Sequence, residues 1–212
     1  MKRTFAICFA ALMLFAHANA QTFYGTTDLQ TFRDGRDKEF RNKEESPLKA
    51  EDFAKFKGLN NYPFDKAFRV TAVFERTADE KYFQMPTSSG ITKKFVKYGV
   101  LTFVIGGKQQ RLSVYQTDAE TLAKFPEYAD LLFVPFRDPT NRVDTYGGGR
   151  YIDIMEPKGK PVTLDLNLAY NPNCAYGSDK YNCPIPPKEN TLEVSITAGE
   201  RRYIYSGYDK TH

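Results

Sequence analysis

The chain has 212 residues, no tryptophan, 26% charged residues and a formal charge of +4. So slight an excess of positive charge gives no reason to expect nucleic acid, which calls for a clustered basic face, and the length suits one domain that buries its own core without a structural metal.

In chain order, the first segment bears on compartment. Lys2 and Arg3 precede an apolar run over 5–16, and Ala18-Asn19-Ala20 supplies the small-x-small pattern of a signal-peptidase site, predicting a signal peptide over 1–20. That run is shorter than the ~20 residues a membrane-spanning helix needs, and no later run approaches that length. The expectation is a periplasmic or secreted protein with no integral membrane segment after cleavage. Cleavage also removes Cys8 and His17, and leaves 28 basic residues against 26 acidic ones, two cysteines and His212. Without a second histidine, a Ser-His-Asp or Cys-His arrangement has no base, and zinc or copper sites lack their usual ligands. The remaining chemistry rests on Asp, Glu, Lys, Arg and Tyr, or on a hard cation held by oxygen. No cofactor motif appears.

Residues 21–45 read as an N-terminal helical segment: Thr27 and Gln30 have capping-box spacing, and Leu29, Phe32, Arg36 and Phe40 share a face. The β-rich domain is expected over 46–212. Ser46-Pro47 suggests a helix start, with Phe53 and Phe56 on one face and Gly58 as the stop. From Ala67 the period becomes two, with Phe68, Val70, Ala72 and Phe74 on the buried side of a strand. VLTFVI and QRLSVY flank Gly106-Gly107, a hairpin signal. A short helix over 122–125 precedes LLFVPF, a strand covered on both faces. Further strands are predicted over 151–155, 162–169, 192–197 and 202–206. The fold class is mainly β (α+β), either a β-sandwich or a partly open barrel with one or two N-terminal helices packed against it.

Polar residues crowd the stretch 131–200. Alternation places Asp165 and Asn167 on one face of their strand and sets Asp153 opposite Ile152 and Ile154. If the two strands are neighbours, Asp153, Asp165 and Asn167 share a space with Tyr151, Tyr170 and Asn171, while Arg150 and Tyr146 flank the run Gly147-Gly148-Gly149 at its mouth. Asp138-Pro139-Thr140-Asn141 reads first as a turn whose Asp bonds its own backbone. Cys174 and Cys183 are expected to pair in an oxidising compartment, closing a loop worth ~2.5–3 kcal/mol.

The words FKGLNNYPFD, LFVPFRDPTN, TYGGGRYIDI, LDLNLAYNPNCAY, CPIPPKEN and AGE occur in order and resemble the bacterial domain-of-unknown-function 1684 family over about 37–203. The resemblance implies a single domain and carries no reaction, substrate or catalytic residue with it. Three functions remain. The first is a binding module for a polar small molecule or glycan, such as an envelope fragment. It would use Tyr146, Tyr151, Tyr170 and Tyr176 as flat surfaces and Arg150, Asp153, Asp165, Asn167 and Asn171 as polar groups. The second is a hydrolase built on two acids among Asp138, Asp153, Asp165, Glu189 and Glu200, with or without Ca²⁺. The third is an envelope component acting only through protein contacts.

Overall fold

The computed structural model describes residues 24–159 and 161–204; the expected signal peptide lies outside them. Its framework is seven strands: β1 Arg69–Arg76, β2 Phe83–Pro86, β3 Thr92–Ile105, β4 Lys108–Thr117, β5 Leu131–Phe136, β6 Arg150–Met155 and β7 Val162–Asp165. They form one antiparallel sheet in the order β6-β5-β4-β3-β1-β7, with β2 pairing on the first part of β3. Past the end of β7, Tyr170 pairs with Tyr151 of β6, each amide donating to the other's carbonyl at 2.9 Å. This contact draws the two outer strands together. The sheet therefore curls into a partly open barrel rather than splitting into a two-sheet sandwich.

The alternation in β1 turns Ala72 and Phe74 inward, where they join Leu101, Leu112, Leu132, Val134, Ile152 and Leu164 in the main core. Gly106 and Gly107 take φ of 58° and 74°, the two left-handed residues a tight hairpin between β3 and β4 requires. Gly99 lies at a bulge in β3 beneath the Phe74 ring, where a Cβ would stand 2.4 Å from a ring carbon.

The helix α1, Leu29–Arg41, is capped by Asp28, whose side chain accepts from the Thr31 amide at 2.7 Å; the cap sits one residue later than the predicted Thr27. Its buried face is Phe32, Arg36 and Phe40, the stripe read from the sequence. The predicted Ser46-Pro47 helix is a single turn, α2 Ala50–Phe53. The third helix, α3 Ala119–Lys124, starts at Asp118.

Two expected strands are absent. Residues 192–197 keep the alternation, with Leu192, Ile196 and Ala198 in the main core, but join no ladder beyond the single Arg137–Thr191 bridge. Residues 202–204 are not in a strand either, and 205–206 lie outside the described residues. The predicted 162–169 strand stops at Asp165, because Asp165 accepts from the Asn167 amide at 3.0 Å and starts a 3₁₀ turn, Leu166–Leu168.

Candidate functional site

Arg150 is fully buried. On β6 it alternates with Tyr151, so it points to the inner side while Tyr151 packs on the outer side. Its guanidinium pairs with the equally buried Asp138 at 3.1 Å and donates to the carbonyls of Ile196 at 2.8 Å and Ala198 at 2.5 Å. Asp138 accepts from the Ile196 amide at 2.8 Å and from Thr140. These two side chains supply the hydrogen bonds that a neighbouring strand would otherwise give residues 196–198. The turn reading of Asp138 holds, and the same carboxylate also neutralises Arg150.

A second buried set centres on Glu200. It accepts from Asn171 through the backbone and side-chain nitrogens, both at 3.1 Å, from the Tyr176 hydroxyl, and from Arg36 of α1 at 3.2 Å. The Arg36 guanidinium also stacks on the Phe40 and Tyr170 rings, each centroid 4.9 Å away. Asn190, fully buried, works in the same manner between β4 and β5, where the ladder shows a single pair; its amide bonds Ser113 N at 2.8 Å, Ser113 O at 2.8 Å and Pro135 O at 2.7 Å.

The residues picked from the sequence thus divide among several places. Asp165 pairs with Arg69 at 2.7 Å, and Asn167 clamps the Asp65 backbone, accepting from its amide at 3.0 Å and donating to its carbonyl at 2.9 Å. Asn171 serves Glu200, and Tyr146 packs beside the cluster of Phe40 and Tyr176. The Tyr146 ring occupies the space a side chain at Gly148 would need, with a Cβ there 2.5 Å from a ring carbon. Of these residues, Tyr151 and Tyr170 line a surface groove, and Tyr170 donates to Asp153 at 2.5 Å.

That groove holds about 250 Å³ on the outer face of β3, β5 and β6. Its floor is a row of rings in which successive centroids are close: Phe95 to Phe133 at 5.6 Å, Phe133 to Tyr151 at 4.7 Å, Tyr151 to Tyr170 at 5.8 Å, and Tyr170 to Tyr24 at 5.4 Å. The facing wall is the segment 181–184, fixed by the Cys174–Cys183 disulfide, by the Tyr151 hydroxyl donating to the Pro184 carbonyl, and by Ile185 N bonding Pro86 O at 2.8 Å. Lys93, Asn173 and Asn182 stand at its margin, and among the described residues their side chains make no hydrogen bond or ion pair. Lys93 is exposed as a whole, yet the groove partly desolvates its ammonium and lowers its pKa from the ordinary value. These groove residues escaped the sequence reading. The spacing of Lys93 and Phe95, on one face of a strand, was the available signal.

Burial raises the Asp153 carboxyl to about 6, against the Tyr170 hydrogen bond and Arg36, which both lower it. Below about pH 4 it is protonated in folded and unfolded chains alike. Between about 4 and 6 the folded chain keeps the proton while the unfolded chain releases it, so stability falls as pH rises through that window. With the residue's partial exposure taken into account, the loss is about 1–3 kcal/mol. Asp153→Asn is expected to show a flatter dependence of its urea midpoint between pH 4 and 7 than the parent; parallel curves would contradict this account.

The profile described as a protein of unknown function (DUF1684) matches residues 54–201, more than half the chain. The chain belongs to the DUF1684 family. It is also similar to the solution NMR structure of an uncharacterized protein from Haloarcula marismortui, with 36% sequence identity, a TM-score of 0.65, and coverage of 82% of this chain and 91% of that one. No curated protein matches. The DUF1684 match contains Asp138, Arg150, Glu200 and most of the groove, whereas Tyr24 and Arg36 precede it.

Proposed function

We propose that this DUF1684 protein is an exported binding protein that holds a polar ligand, a glycan or cell-envelope fragment, in the groove on the outer face of the barrel. One observation carries the reading: an aromatic floor bordered by Lys93, Asn173 and Asn182, whose polar groups have no partner among the described residues. Flat apolar rings with a few unspent polar groups are what a sugar-like ligand requires, and a cavity of about 250 Å³ admits a single ring rather than a long chain. Export is supported by the N-terminal pattern of Lys2-Arg3, the apolar run and Ala18-Asn19-Ala20.

A hydrolytic reading has one observation in its favour, the raised Asp153 carboxyl beside Tyr170. Binding is preferred because no carboxylate among the described residues lines the groove, and Asp138, Asp165, Glu189 and Glu200 each hold a partner within the fold. Titration of the ¹⁵N-labelled protein with cell-wall fragments and simple saccharides is expected to move the amide signals of Lys93, Asn173 and Asn182. Tyr181→Ala at the half-buried wall should weaken binding about tenfold or more. Unmoved groove signals across the whole panel would refute the reading.

A further inference from the structure

We infer that the groove selects sugars carrying an anionic group, which meets Lys93 at the rim while the ring lies on the aromatic floor. This rests on the binding reading and adds the charge of the ligand. Among the described residues lining the groove, Lys93 is the one that is charged, and none is Asp or Glu. A solitary ammonium in a lining without acids rejects cations and leaves an anion as its natural partner. Its placement is specific. Lys93 and Phe95 lie two residues apart on β3, opposite Met85 and Phe83 of β2, so both side chains leave the same face. Phe95 sinks into the cluster of Met85 and Tyr115, and Lys93 projects beyond it over the groove.

The neighbouring Lys94 points the other way. Its ammonium lies 4.9 Å from the centre of the Tyr82 ring and takes no part in the groove, which makes it a matched control. Asn173 and Asn182 each offer a donor and an acceptor, the combination that ring hydroxyls need beside a charged substituent.

The probes are galacturonate, galactose and galactose 1-phosphate, titrated into the full chain and followed by the groove amide signals. Galacturonate is expected to bind about 3- to 10-fold tighter than galactose at low salt, with the preference shrinking at high salt. Lys93→Gln should abolish that preference, and Lys94→Gln should keep it. Tighter binding of galactose 1-phosphate with the same dependence on Lys93 supports the same anionic class. Equal binding of galacturonate and galactose in the groove would overturn the charge selection and leave the binding reading standing. A preference that survives Lys93→Gln would overturn the assignment to Lys93. Binding of none of the three would overturn the inference itself, whereas the binding reading falls only with the wider panel.

Discussion

Arg150→Ala is expected to destabilise the protein by about 3–5 kcal/mol, read as a lowered urea midpoint by circular dichroism. Both partners of the Arg150–Asp138 pair are wholly shielded from water. Truncating the arginine strands a carboxylate in the interior and strips the carbonyls of Ile196 and Ala198 of their donor. Burial itself pulls the guanidinium pKa down, and Asp138 pulls it back up; the group stays charged because an arginine does not lose its proton in a protein. Arg150→Lys tests geometry apart from charge. A lysine keeps the positive charge but lacks the planar fork that spans Asp138 and two carbonyls, so an intermediate loss of about 1–3 kcal/mol is expected. A change within about 0.5 kcal/mol for the alanine variant would show that residues 196–198 are held by packing alone.

Glu200→Gln is expected to cost a comparable ~3–5 kcal/mol despite being nearly isosteric. Each described contact on this carboxylate is a donor: Arg36, the Tyr176 hydroxyl, and two nitrogens of Asn171. An amide at this position turns an NH₂ group toward donors and leaves the Arg36 guanidinium without its closest carboxylate, Glu39 being 3.8 Å from it. Tyr176→Phe removes one donor and keeps the ion pair, so about 1 kcal/mol is expected there. If Glu200→Gln and Tyr176→Phe cost the same in urea unfolding, the charge of Glu200 contributes nothing beyond one hydrogen bond.

Most of the framework was legible because it follows local periodicity. The inward Ala72 and Phe74, the Gly106-Gly107 hairpin, the β5 and β6 segments and the α1 stripe each follow from spacing of two or about 3.6 residues. Residues 192–197 show where that signal stops. Alternation reports which side chains face the core, and Leu192 and Ile196 do so; it carries no information on what satisfies the backbone, here the side chains of Arg150 and Asp138. The four-residue β2, exposed at two of its positions, left no periodic trace.

The candidate site was less legible for a different reason. Arg150 and Asp165 were selected as polar residues near glycines and strands, yet each is matched to a partner that sequence distance hides: Arg150 to the carbonyls of 196 and 198, Asp165 to Arg69. The groove gathers side chains from β3, β5, β6, the stretch after β7 and the disulfide loop. No window of sequence contains them together, and the residues with unspent polar groups are a lysine and two asparagines with no motif around them.

The contribution of α1 separates two boundaries that are easily taken for one. Similarity to the DUF1684 family begins at residue 54, but Arg36, the closest cation to Glu200, and Phe32, packed against Tyr151 and Tyr170, lie ahead of it. A chain shortened to 54–201 would retain every strand and still bury a carboxylate whose nearest counter-charge had been cut away. The family match therefore begins after residues on which the buried Glu200 of this chain depends.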